Sequence, residues 1–64
     1  MRKNKVIQKI LMEAVGRLSD LQDDYYFAAE MNKANGKDIN TTIAKINGIQ
    51  DAKEELYVLM EKYE

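Results

Sequence analysis

The chain has 64 residues, of which 45% are apolar and 33% charged, and its formal net charge is −1. This length suits one small domain, residues 1–64, and the composition is too apolar for a disordered chain. Because Cys and His are both absent, the sequence excludes disulfides, cysteine nucleophiles, histidine acid–base catalysis and a zinc site built from these ligands.

The first predicted element is a helix from about residue 4 to about residue 34, roughly 45 Å long. Its apolar residues recur in alternating steps of four and three, which is the spacing of a heptad seam that packs against another helix. Asn4 and Asn32 continue this seam at its two ends. The predicted seam consists of Ile7, Leu11, Ala14, Leu18, Leu21, Tyr25 and Ala28.

Three of the five aromatic residues are consecutive near the end of this helix. Tyr25 belongs to the predicted seam and Tyr26 flanks it, whereas Phe27, together with Met31, lies on the far side. One neighbouring helix cannot cover three consecutive rings, because their directions diverge around the helix axis. We therefore expect a second copy of the chain or another protein to cover part of this stretch. A small-ligand pocket between subunits, lined by these rings and Tyr57, is an alternative.

A turn at about residues 35–38 separates the two predicted helices. Asn35-Gly36 supplies a left-handed stop for the first helix. Asp38 is the predicted N-cap of the second helix and would accept a hydrogen bond from the backbone near Thr41. Because the turn is short, we expect the helices to fold back antiparallel.

The second predicted helix runs from about residue 39 to about residue 62. Its apolar stripe includes three successive steps of three, so it drifts around the helix instead of following one line. We therefore expect the first half of this helix to face one neighbour and the second half partly to face another. The stripe consists of Ile39, Ile43, Ile46, Ile49, Ala52, Leu56, Leu59 and Tyr63.

Together these patterns predict an all-α fold, an antiparallel two-helix hairpin that assembles into a homo-oligomeric helical bundle. A lone hairpin of this size buries too little apolar surface, and a dimeric four-helix bundle is the simplest remedy. Gly48 should lie level with Tyr25, and Gly16 with Tyr57, so each glycine could admit a ring. The residues expected to form the hairpin and oligomer core are Ile7, Leu11, Leu18, Leu21, Ile43, Ile46, Ile49, Leu56 and Leu59.

Charges are distributed unevenly along the chain, with a basic beginning and a mostly acidic end. In an antiparallel hairpin these two ends are neighbours, and the acidic stretch 20–30 approaches lysines near the turn. We interpret the pattern mainly as ion pairing that fixes the antiparallel orientation. Nucleic-acid binding is a weaker alternative, and membrane binding is also disfavoured. The nucleic-acid candidates are Arg2, Lys3, Lys5 and Lys9.

No motif in the sequence points to catalysis, a cofactor or a metal site. Asp20, Asp23 and Asp24 lie within about one helical turn, which we interpret as a solvated acidic face. Ser19 is the only serine, and no histidine is present to activate it. We therefore expect a small, non-enzymatic regulatory or inhibitory protein of the cytoplasm that oligomerises and binds a partner protein. A phage or mobile-element origin would fit the Lys-rich and Asn-rich composition.

Overall fold

The computed structural model describes residues 2–64, with side chains described from Lys3 onward. Within this range the chain forms two α-helices, α1 over Arg2–Ala34 and α2 over Asn40–Lys62. They pack side by side into an elongated hairpin whose Cα atoms span 52 × 14 × 9 Å. The predicted all-α hairpin is therefore confirmed, and the helix ends lie within about two residues of the expected positions.

A glycine-centred turn ends α1. Gly36 has a positive φ of 72°, a conformation that L side chains rarely adopt. The backbone N–H of Lys37 donates to the carbonyl of Asn32 at 2.8 Å, and that of Gly36 donates to Lys33 at 3.1 Å. These two bonds form a Schellman motif, which satisfies carbonyls that the helix end leaves free. The predicted left-handed stop is confirmed.

The start of α2 differs from the prediction by one residue. The N-cap is Ile39, whose side chain makes no capping bond, and its carbonyl accepts from Ile43 at 2.9 Å. Asp38 Oδ1 instead accepts from the backbone N–H of Asn40 at 2.9 Å. The predicted N-cap role of Asp38 is therefore wrong, because its carboxylate closes a local turn two residues along the chain before the helix begins.

Two glutamines of α1, here called the glutamine clamps, bind backbone carbonyls of α2. Gln8 Nε2 donates to Met60 O at 3.0 Å, and Gln22 Nε2 donates to Ile46 O at 3.3 Å. The acceptor moves back along α2 as the donor advances along α1, which shows that the helices are antiparallel. The donors are two heptads apart and so are the acceptors, so the clamps share one register.

The helices meet along a seam with regular heptad spacing. On α2 this seam shows no drift, because its steps alternate between three and four. The α2 positions are Ile39, Thr42, Ile46, Ile49, Lys53, Leu56, Met60 and Tyr63, and those of α1 are Asn4, Gln8, Leu11, Val15, Leu18, Gln22, Tyr25, Ala29 and Asn32.

The seam of α1 differs from the prediction at every second position. The hairpin buries Val15, Gln22 and Ala29, one residue beyond the predicted Ala14, Leu21 and Ala28. The clamps account for the rotation, since an amide that donates to a carbonyl of α2 must itself lie on the seam. For the hairpin interface the sequence prediction is therefore wrong at these positions.

The same correction applies to α2, where Thr42, Lys53 and Met60 occupy seam positions that the sequence assigned to Ile43, Ala52 and Leu59. Leu21, Ile43 and Leu59 remain about 40% exposed in the single chain, at 44%, 40% and 41%. Whether an oligomer buries these side chains stays a prediction.

Candidate interaction surfaces

An open apolar groove, here called groove A, lies midway along one face of the hairpin. Its volume is about 310 Å³. The clamps place Gln8 and Gln22 on the seam. The apolar row one residue earlier, Ile7, Ala14, Leu21 and Ala28, therefore lies beside the seam instead of on it. The groove is lined by Leu18, Leu21, Tyr25, Lys45, Gly48, Ile49 and Ala52.

A second groove, here called groove B, lies near the turn and has a volume of about 210 Å³. Helical geometry places it on the opposite face of the hairpin from groove A. The α2 row that borders this face consists of Ile43, Gln50, Tyr57 and Glu64. Because Gln50 and Glu64 are polar, the apolar surface that begins at Ile43 is short. Groove B is lined by Tyr26, Ala29, Glu30, Lys33, Ile39, Ile43 and Ile46.

The predicted apolar stripe of α2 crosses from one face to the other. Ile43 near its start lines groove B, whereas Ile49 and Ala52 line groove A. Steps of three fall short of a full helical turn, so such a stripe moves steadily around the helix. The structure thus places the two halves of the stripe on opposite faces, while the seam itself stays straight.

The three consecutive aromatic rings point in three directions. Tyr25 lines groove A, where Lys45 Nζ lies 5.3 Å from the ring centroid. Tyr26 lines groove B. Phe27 is 65% exposed, more than any other large apolar side chain described, and Met31 one turn later is also exposed. Within one chain, these rings do not converge on a single pocket with Tyr57, which is exposed farther along α2.

The two helical glycines leave open space beside them. Gly48 lines the same groove as Tyr25, as their expected levels along the hairpin predicted. A methyl group added at Gly16 or at Gly48 would meet no atom within 4 Å. Within the single chain, therefore, no ring fills the room that either glycine provides.

The predicted ion pairs between the helices are not formed among residues 3–64. In this range the structure contains one ion pair, Arg17 to Glu13 at 3.6 Å, and it lies within α1. Among these residues, the cationic contacts that do cross the hairpin are a hydrogen bond from Lys53 Nζ to Gln22 Oε1 at 3.1 Å and the contact of Lys45 Nζ with the ring of Tyr25. Orientation is therefore supported by polar contacts to glutamine amides, and the prediction of cross-helix ion pairs is wrong for these residues.

Gln22 is the polar residue that sequence reasoning missed. Only 6% of it is exposed, and its amide contacts three groups of α2, namely the carbonyl of Ile46, the side chain of Gln50 at 3.2 Å and the amine of Lys53. A buried, satisfied amide of this kind specifies one register of the helices. The available signal was the spacing of Gln8 and Gln22, two heptads apart on one side of the apolar row.

The basic residues that the sequence offers for nucleic-acid binding do not form one continuous face. Lys3, Lys5 and Lys9 are exposed; Lys5 and Lys9 share one face of α1 and Lys3 lies on another, while the side chain of Arg2 lies outside the described residues. Lys5 shares a small groove at the open end of the hairpin with Glu64, which reduces the local positive charge.

Acidic side chains are also spread out. Among residues 2–64, no three carboxylates come together in a way that would hold a metal ion. No helix in this part of the chain is long and apolar enough to cross a membrane.

Comparison with known proteins identifies no relative. No protein-family model matches the chain, no curated protein matches its sequence, and no solved structure matches its fold.

Proposed function

We propose that this chain is a non-enzymatic interaction protein that self-associates through groove A and binds a partner protein near the turn. The observation that carries the proposal is the surface that the hairpin leaves uncovered. A folded monomer of 7.4 kDa typically exposes about 4,200 Å², whereas this chain exposes 5214 Å². The excess, on the order of 1,000 Å², is comparable to the roughly 800 Å² that each partner buries in a standard interface.

A second copy of the chain suits groove A because the groove lies in a long, flat face of the hairpin. The Cα atoms span 52 by 14 Å in the plane of the hairpin, so one face covers on the order of 700 Å² per copy, close to a standard interface. Two hairpins stacked face to face would form a four-helix bundle. Leu21 and Leu59, both exposed in the single chain, would then lie in the bundle core.

Groove B and the neighbouring Phe27 suit a different protein. This surface combines Tyr26, Phe27 and Ile43, all at least 40% exposed, with a pocket large enough for one or two apolar side chains. Aromatic residues around a pocket are typical of binding hot spots. A regulatory or inhibitory protein that works by occupying a surface of its target needs no further chemistry.

Native mass spectrometry of the purified protein, with sedimentation as a second measure, tests self-association. We expect a particle with twice the chain mass of 7.4 kDa. A monomer at all concentrations up to the millimolar range would contradict the proposal.

The same spectrum tests the alternative that the protein binds a small ligand. The volume of groove A, 310 Å³, favours this alternative because ligand pockets start near about 300 Å³. A retained small molecule would support that alternative instead.

Affinity capture from extracts of the native host tests partner binding. A protein recovered by the wild type should be lost with Ile43→Glu in groove B and retained with Val58→Glu. Val58 is a suitable control because it is 60% exposed and lies on the outer side of α2. Equal recovery by both variants, or recovery of no protein by the wild type, would contradict the assignment of this surface.

A further inference from the structure

We infer that the second copy packs on groove A in one antiparallel register, with a two-fold axis that crosses α1 between Leu18 and Leu21. In this arrangement α1 lies against α1 of the other copy, and α2 against α2. The inference rests on the self-association proposed above and specifies its geometry. Three features of the sequence and structure support it: side-chain sizes, charges and the consequences of shifting the register.

Side-chain sizes match across this axis. In antiparallel heptad packing, a residue before the axis in one copy faces a residue after it in the other. Leu18 then opposes Leu21, Leu11 opposes Ala28, and Ala14 opposes Tyr25. Each of the outer pairs joins a large side chain to a small one, which lets opposing layers interdigitate without voids.

A neighbouring row of α1, here called the outer row, flanks these layers. It consists of Ile10, Arg17, Asp24 and Met31, each seven residues from the next. Across the same axis Ile10 opposes Met31 of the other copy, and Arg17 opposes Asp24. Each of these pairs occurs twice in the dimer, once on each side of the axis. On each side the exposed side chains of Ile10 and Met31 cover one another, and the opposite charges of Arg17 and Asp24 meet.

Arg17 is free to make this contact. Its present partner is Glu13 on the preceding turn of α1, at 3.6 Å, and the side chains are 81% and 67% exposed. An exposed pair of this kind contributes little to stability. Arg17 can therefore exchange Glu13 for Asp24 of the second copy, or contact both carboxylates, at little cost in free energy.

Shifting the register by one heptad brings like charges together. A shift in one direction places Asp24 opposite Asp24 of the other copy, and a shift in the other direction places Arg17 opposite Arg17. Like charges at such positions destabilise the pairing. The outer row thus favours the central register and disfavours both neighbouring ones, as the charged flanking positions of coiled coils do.

The axis is also compatible with α2. The clamp bonds place Gln22 level with the stretch 46–50 of α2, so the axis crosses α2 near residue 50. Ile49 then opposes Ala52 of the second copy, again a large side chain against a small one, and the methylene groups of Lys45 oppose Leu56. Gly48 lies beside this pair in groove A, where it leaves open space.

Two single charge reversals, measured apart and mixed, test this register. In a dimer of Arg17→Asp, two acidic side chains meet on each side, and in a dimer of Asp24→Arg, two basic ones do. We expect each variant alone to dissociate at about tenfold higher concentration or more than the wild type. In an equal mixture, every pair joins opposite charges, so native mass spectrometry should show mainly the mixed dimer.

This experiment distinguishes a failure of self-association from a failure of the register. A wild-type chain that stays monomeric would remove the self-association itself. A wild-type dimer combined with a statistical 1:2:1 mixture of the variants would leave self-association intact and overturn the register. Lys9→Asp and Glu30→Arg, reversals on the groove B side of α1, serve as the matched control mixture and should show no preference for the mixed dimer.

Discussion

Grooves A and B lie on opposite faces of one thin hairpin, yet the apolar surfaces around them differ in length and in what could cover them. The apolar surface around groove A continues along the hairpin, through the row Ile7 to Ala28 of α1 and through Ile49, Ala52, Leu56 and Leu59 of α2. Groove B is limited to the turn end, since polar residues follow Ile43. A long apolar face suits another helical hairpin, whereas a short pocket suits a few side chains of a different protein.

The largest effect should come from placing one charge in each groove. Leu21→Glu introduces a carboxylate near the proposed axis, where two copies would bring both charges into the bundle core, and we expect the dimer dissociation constant to rise more than a hundredfold. Ile43→Glu is the matched control, because Ile43 is similarly exposed but lies in groove B. Sedimentation equilibrium measures both. Equal dissociation of the two variants would contradict the division of roles.

Removing a clamp should weaken the arrangement that produces both grooves. Gln22→Ala deletes bonds to Ile46, Gln50 and Lys53 and leaves a gap on the seam, so we expect the free energy of unfolding to fall by about 1–3 kcal/mol. Gln50→Ala, which removes one of these bonds from a more exposed position, should have a smaller effect. Urea denaturation checks the order, and a larger loss in Gln50→Ala would contradict it.

Gly16 lies on an open surface of α1, whereas Gly48 lies in the proposed dimer interface. Gly16→Ala should raise the free energy of unfolding by up to about 1 kcal/mol, because alanine favours a helix and no atom obstructs the new methyl group. Gly48→Ala should give the same gain in dilute, monomeric protein and a smaller gain where dimers form. Denaturation at two protein concentrations distinguishes these cases. An identical gain at both concentrations would show that groove A is not filled near Gly48.

Phe27 should show the smallest effect on folding. Because its side chain is 65% exposed, we expect Phe27→Ser to change the free energy of unfolding by less than about 0.5 kcal/mol and to leave the subunit number unchanged. Tyr25→Ser is the control, since Tyr25 lies on the seam and should destabilise the chain when truncated. A clear loss of stability in Phe27→Ser would mean that assembly buries this ring, which would make it structural.

Most of the fold is readable from local patterns. The helical periodicity of α1 and the Asn35-Gly36 stop depend on residues close together in the chain, and the structure contains both the helix and the stop. The capping role of Asp38 was harder to predict, because its carboxylate can bind any of several nearby N–H groups and only the backbone path selects Asn40.

The position of the seam was not predictable from apolar spacing alone. A helix with apolar residues on adjacent rows offers two seams, and hydrophobicity favours Leu21 over Gln22. The structure buries Gln22 because Ile46, Gln50 and Lys53 on α2 satisfy its amide. Those partners lie more than 20 residues away in the sequence, so local periodicity carries no information about them.

Two helices, a short glycine turn and an excess of apolar side chains follow from the sequence alone, because propensity, periodicity and backbone conformation act over a few residues. Tertiary structure decided the rotation of α1, and with it the faces on which the apolar rows emerge. That rotation depends on hydrogen bonds between distant residues. It divides the apolar surface between the face around groove A, which we propose a second copy covers, and groove B near the exposed Phe27.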